Sequence, residues 1–366
     1  MDHYDEVPGP EKVISIYSLV VLLLSLGCGI AAGVRGAWPD GLRVFGILLL
    51  TAVPASGHVV HSRPMALLQR RLKKHGTVIC GWQGVKDLCG RAVFPLTDTD
   101  LFPIGSAKLN GVKFYGSREP DQVVAYAAAV IVADGGTMAP LLSQLLESRS
   151  GYHYDVTELQ SYPGGIGGIV NNEAVLAGSL GFLQSMGVEL PQGTKVNQAV
   201  YVAIDGEFSG VFAVTYGKVK SAAVGLTTLC SYRRLTPVMV TGDFMLTESF
   251  LRAKFGVNTR RMAFPDRATR TELSQRQADP DTVALAMTTK EGLAGFAYAV
   301  TGSRALRASC IAGTVIHLLG GILGLGVVAA LLVLEAEALL TPANLLLYQL
   351  VWMVPGWLIS EWTRSV

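Results

Sequence analysis

Four apolar stretches, each close to the length that crosses a hydrocarbon core, constrain this chain more than any other feature. They come as two pairs. Residues 13–34 and 42–60 are joined by the turn Arg-Gly-Ala-Trp-Pro-Asp-Gly, and residues 309–334 and 339–360 by a stretch holding Glu335 and Glu337. Inside a bilayer the backbone must satisfy its own hydrogen bonds, so each stretch reads as a transmembrane helix. A chain of 366 residues that is 50% hydrophobic and only 16% charged, with mean hydropathy +0.39, is too apolar to be wholly soluble. The N-terminus is acidic and shows no basic region or small-residue cleavage site, so the first span is expected to be an anchor and not a cleaved signal. Basic residues crowd the inner edges of the central segment: Arg63, Arg70, Arg71, Lys73 and Lys74 at one end, Arg304 and Arg307 at the other. The positive-inside rule then predicts a plasma-membrane protein with the central segment and both termini in the cytoplasm.

A net charge of +2 is nearly balanced, so nothing argues for a nucleic-acid partner, which would need a concentrated basic surface. The five cysteines, Cys28, Cys80, Cys89, Cys230 and Cys310, show neither disulfide nor zinc spacing, which fits a reducing compartment.

The central segment alternates short apolar runs with helical patterns, as an α/β domain requires. Ala199–Ile204, Gly210–Val214 and Pro237–Val240 read as strands. The last ends in Thr241, Gly242 and Asp243, followed by a helical pattern over Leu246–Phe255 and a Gly256 stop. Thr-Gly-Asp sets a hydroxyl, a permissive backbone and a carboxylate at the carboxyl edge of a sheet, where open α/β folds take ligands.

In this setting Tyr201–Phe212 and Thr236–Val257 resemble the P-type cation-transporting ATPases of the haloacid-dehalogenase superfamily. Tyr201–Phe212 looks like the family's opening of the second half of its phosphorylation domain. Pro163–Gly168 and Val175–Ser179 resemble the Gly-x-Gly element of its nucleotide-binding domain and the strand that follows. A short nucleotide domain points to the heavy-metal branch, whereas Leu340–Pro355 looks like the sixth helix of calcium and sodium pumps, so the subfamily stays open. The resemblance implies an α/β, Rossmann-type phosphorylation domain with an inserted α+β nucleotide-binding-type domain, carried on four transmembrane α-helices. The implied boundaries are 1–62 for two helices, 63–115 and 199–308 for the phosphorylation domain, 116–198 for the nucleotide domain and 309–366 for two more helices.

The family attacks ATP with an aspartate at a strand end and uses Mg²⁺, so ATP and Mg²⁺ are the implied cofactors if the chain is active. Its signature Asp-Lys-Thr-Gly-Thr is not intact here. Two alignments of residues 92–105 compete: one puts Pro95 at the nucleophile, the other Asp98, which suits the neighbouring spacings better. Asp100 then resembles the second acid of related phosphatases, and a solvated loop is the plain alternative. Thr288 stands in place of a Mg²⁺ carboxylate with Lys290 beside it, and Arg267 stands for a phosphate-binding lysine. Gly165, Gly167 and Gly168 are the nucleotide-binding candidates, although glycines also serve turns. Ala139 and Pro140 stand where heavy-metal pumps carry His-Pro.

In the membrane, Ala52, Val53, Pro54 and Ala55 resemble the family's Val-Pro-Glu-Gly without its glutamate, and Gln349 and Met353 replace two further ligands of the calcium and sodium pumps. His58 and His61 lie one helical turn apart and are weak candidates for a transition-metal site with Cys28, Cys310 or His317; a place at the lipid interface is the alternative. Gly320, Gly321, Gly324, Gly326 and Gln349 suit helix packing against a partner. No residues before the first span match the family's first two core helices or its actuator domain. The expectation is therefore a non-pumping pseudo-ATPase with a regulatory or assembly role. The alternatives are an active ATPase or phosphatase using Asp98, and half of a split pump whose partner subunit brings the actuator.

Overall fold

Pro54 interrupts what reads in the sequence as one continuous second span. In the computed structural model, which describes residues 9–364 other than 104, 194, 195, 197, 242, 267, 268, 271, 274–283 and 290–292, that stretch is two helices meeting at 53°. The chain begins with α1 (Gly9–Arg35), α2 (Trp38–Ala52), a 3₁₀ turn (Ala55–His58) and α3 (Val59–Lys74). It continues through β1 (Thr77–Ile79), α4 (Gly81–Leu88), β2 (Ala92–Leu96), α5 (Asp98–Leu101), β3 (Ala107–Phe114), α6 (Pro120–Asp134) and α7 (Ala139–Ser148). Then come β4 (Val156–Tyr162), β5 (Gly165–Val170), β6 (Glu173–Gly178), α8 (Leu180–Ser185), β7 (Ala199–Ile204), β8 (Glu207–Tyr216) and α9 (Lys220–Ser231). The last elements are β9 (Leu235–Met239), α10 (Glu248–Phe255), β10 (Ala286–Thr288), α11 (Ala294–Val333) and α12 (Pro342–Ser360).

Two units follow from the contacts: residues 1–90, 281–290 and 298–366, and residues 91–280 with 291–297. Among the described residues, three helical stretches are long and apolar enough to cross a membrane: Gly9–Arg35, Ala294–Val333 and Pro342–Thr363. The bent pair Trp38–Ala52 and Ala55–Lys74 makes a fourth if it is counted as one span. The four expected spans are met in this way, the second of them broken at Pro54. Proline has no N–H to continue the ladder and pushes the preceding residue out of helical geometry, and Val53 accordingly sits at φ −117°, ψ 84°.

Small residues let these helices approach closely. Gly41 lies against the backbone of Gly29 and Gly33, and Gly321 and Gly324 lie against the carbonyls of Ala52 and Thr51. Gly320 packs on Trp352 and Pro54. Gly320, Gly321 and Gly324 therefore serve packing inside the unit, where the sequence suggested a partner; Gly326 meets nothing nearby. At one end Arg63 donates to Ser360 Oγ at 2.7 Å, pairs with Glu361 and lies 3.2 Å over the Trp357 ring. β1 and β10 form a short antiparallel ribbon in register Val78↔Met287.

The second unit holds a six-stranded sheet in the order β3-β8-β7-β6-β5-β4, antiparallel throughout. α6 is buried over most of its surface, from Val123 to Ile131, and this explains its apolar, alanine-rich sequence. A separate parallel pair, β2 with β9, is set in register Leu96↔Met239. The run Tyr201–Phe212, expected to open the phosphorylation-type half, lies instead in the middle of the six-stranded sheet. Val202 pairs with Ala177 on one side and Gly210 on the other. The boundary expected between residues 198 and 199 thus falls inside one hydrogen-bonded sheet, because the β7–β8 hairpin completes the surface on which Phe182, Tyr201 and Phe208 bury their rings.

A candidate acid site at the strand ends

Parallel pairing of β2 and β9 brings both carboxyl ends to one edge. Val240 N–H donates to the Leu96 carbonyl at 2.8 Å, and Asp98 and Thr241 each stand two residues beyond the paired strand ends Leu96 and Met239. Pro95, the rival position, lies within β2 opposite Val238. Asp98 opens α5 and is buried; its carboxylate accepts a hydrogen bond from Thr137 Oγ1 at 2.7 Å. Asp100 turns back on its own helix. It accepts from Thr97 N–H and Thr97 Oγ1, both at 2.8 Å, as a capping box. Thr-x-x-Asp therefore nucleates the turn that presents Asp98, and Asp100 is occupied in holding it.

Asp243 is more deeply enclosed. It is 2% exposed; Tyr216 Oη donates to its Oδ2 at 2.5 Å and Met245 N–H to its Oδ1 at 2.9 Å. Thr241 Oγ1 accepts from Asp243 N–H at 2.9 Å, and Arg270 Nη1 donates to the Thr241 carbonyl at 2.6 Å. Burial raises the Asp243 carboxyl to about 7, against the lowering effect of the Tyr216 and Met245 hydrogen bonds, and the charges of Asp98 and Asp134 add to the rise. Burial first, and then the Asp243 charge, push the Tyr216 phenol well above its ordinary range. The loop between α6 and α7 closes over this pair. Gly135 and Gly136 take positive φ, and a Cβ on Gly136 would come within 3.1 Å of Asp243 N.

Beside these residues lies a cleft of about 560 Å³, walled by Tyr162, Phe244, Leu246 and Phe264 and carrying Thr241, Asp243, Asp266 and Arg270. Of the three nucleotide-binding candidates only Gly165 lines it. All three lie in β5: Gly165 against the Phe182 ring, Gly167 against Leu176 and Gly168 against Val156, so close packing is their evident use. Two predicted residues, Gly242 and Arg267, lie outside the described residues, as does Lys290. Sequence reasoning missed Thr137, Tyr216 and Arg270. The Gly-Gly before Thr137 is the one local signal; the other two come from segments remote in sequence. His58 is exposed and His61 half-buried, and among the described residues no three potential ligands converge on a metal position.

No protein-family model matches the chain. It is 22% identical over 262 residues to the cation-transporting P-type ATPase B of Mycobacterium leprae (strain TN), a match covering 68% of this chain and 34% of that protein. The chain is P-type cation ATPase-like. It spans about a third of the length of that curated relative. Among solved structures it is similar to a zinc-transporting PIB-type ATPase in an E2·Pi state, at 15% identity and TM-score 0.46, over 95% of this chain and 62% of that one. It is also similar to the N-domain of HMA6, a copper-transporting P-type ATPase, at 20% identity and TM-score 0.25, over 30% of this chain and 100% of that one. These two structural likenesses are loose.

Among the described residues, Asp98 and Asp243 as they stand fit a divalent cation poorly. A hard cation needs ionised oxygens free to turn towards it, whereas here one carboxyl is raised to about 7 by burial and both are engaged by hydroxyl donors of the protein.

Proposed function

We propose that this chain is a membrane-held pseudo-ATPase that acts by assembling with another membrane protein and does not itself pump. The observation that carries this reading is the internal closure of the acid pair, Asp98 by Thr137 and Asp243 by Tyr216. Phosphoryl transfer needs positive charge over the transferred group, and neutral hydroxyls supply little of it. Loss of one charge-stabilising group typically costs about 10²-fold to 10³-fold in rate. In this reading the head faces the cytoplasm of the plasma membrane, supported by the basic residues Arg63 to Lys74 next to the apolar helices.

The test is exposure of the purified chain, in detergent, to γ-labelled ATP and Mg²⁺. The expected result is no acid-stable, hydroxylamine-labile phosphoenzyme and no cation-stimulated hydrolysis. One observation favours a second reading, an active ATPase or phosphatase using Asp98: Asp98 and Thr241 each stand two residues beyond the paired ends of β2 and β9. Label that appears and is lost in Asp98→Asn establishes that reading and overturns the first. The assembly role is tested by crosslinking in native membranes, where a membrane-protein partner is expected and a lone monomer counts against it.

A further inference from the structure

The break at Pro54 leaves backbone groups that a continuous helix would have paired. In an α-helix the N–H of residue 54 would reach the carbonyl of Leu50, that of Ala55 the carbonyl of Thr51, and those of Ser56 and Gly57 the carbonyls of Ala52 and Val53. Proline supplies no N–H, and the turn after it opens, with Gly57 N–H redirected to the Pro54 carbonyl at 3.2 Å. Unpaired groups at membrane depth cost several kcal/mol each, so their partners have to be found.

One side chain takes three of them. The Gln349 carboxamide, from α12, donates through Nε2 to the carbonyls of Leu50 and Val53, the latter at 3.3 Å, and accepts through Oε1 from Ala55 N–H at 2.5 Å. Tyr17 Oη, from α1, donates to the Ala52 carbonyl at 2.8 Å. Gln349 thus gives Leu50 the donor that Pro54 lacks and gives Ala55 an acceptor in place of Thr51. A carboxamide can do both at once; a carboxylate only accepts and a leucine does neither. Gln349 is itself only 9% exposed, in a helix of membrane-spanning length, where an unpaired carboxamide is costly.

We propose that Gln349 is the pin of a fixed intramembrane joint: its carboxamide, with the Tyr17 hydroxyl, takes up the carbonyls of Leu50, Ala52 and Val53 that the break at Pro54 frees, so the break between α2 and α3 keeps one geometry and offers these three oxygens to no cation. This inference stands on the membrane unit alone and does not depend on what the acid site does.

A double-mutant cycle on the whole chain tests it, read as loss of helical signal on heating in detergent. Gln349→Leu should lower the unfolding temperature by several degrees. In a Pro54→Ala background, where an ordinary N–H reaches the Leu50 carbonyl, the same substitution should have a much smaller effect. Should Gln349→Leu fail to fold alone, adding Pro54→Ala should restore a folded chain. The unfolding temperature of the unmodified chain should not move on titration with Na⁺, K⁺, Ca²⁺ or Zn²⁺. Equal losses in both backgrounds, a neutral Gln349→Leu, failed rescue by Pro54→Ala, or a cation that stabilises the unmodified chain but not Gln349→Leu would each overturn the proposal.

Discussion

Asp243 shows how one enclosed carboxyl makes stability depend on pH. Its pKa in the folded chain, about 7, lies above the value near 4 of an unfolded aspartate, so between these values the native state holds a proton that the unfolded state has released. The contribution is fully present below about pH 4, is lost as pH rises to about 7, and is flat beyond. At about 1.4 kcal/mol per pKa unit, it amounts to a few kcal/mol. Hydrogen-exchange protection of β8 and β9, followed across this range, should fall with rising pH in the native sequence and stay level in Asp243→Asn. Tyr216→Phe removes the hydroxyl that lowers the Asp243 pKa, so it should destabilise the head by roughly 1–3 kcal/mol and extend the pH-dependent range upwards. Asp98, Thr241 and Asp243 were legible in the sequence because a strand ending in hydroxyl and acid is a local pattern. Thr137 and Tyr216 were not, since their contacts with the acids span 39 and 27 residues of chain.

At the level of elements, the apolar patterns located strands and helices well. Ala199–Ile204 is a strand as expected, and α10 begins after an N-cap at Thr247 and ends at Gly256, whose φ of +69° suits glycine. The glycines of β5 carry a different lesson. Read alone they suggest a phosphate loop; in the sheet they make room for neighbours. Gly165→Ala should destabilise the head by about 1–3 kcal/mol, because its methyl would run into the Phe182 ring. Gly181→Ala, in α8 with nothing near its Cβ, should be neutral or stabilise by up to about 1 kcal/mol. Denaturant midpoints of the two variants check the contrast. The break at Pro54 was half legible: the proline announces a kink, but the side chain that satisfies it lies 299 residues from Leu50.

Over the whole molecule, the presence of membrane-length apolar helices and of a mixed α/β unit makes topology the most direct prediction. Membrane-impermeant thiol labelling should reach a cysteine placed at Ala338 from outside intact cells and should reach one placed at Ser117 only after permeabilisation. Labelling of Ser117 from outside would reverse the orientation. The sequence by itself determined that the chain has membrane-length helices, an α/β segment between them and a P-type ATPase-like relationship, because hydrophobic length, strand and helix period and local motifs are short-range quantities. Only the tertiary structure decided that Tyr201–Phe212 belongs to the six-stranded sheet, that Thr137 and Tyr216 close the acid pair, and that Gln349 pins the break at Pro54. Each of these depends on which distant backbone and side-chain groups find one another when the chain buries its polar atoms, and pairing of that kind leaves no periodic trace in the sequence.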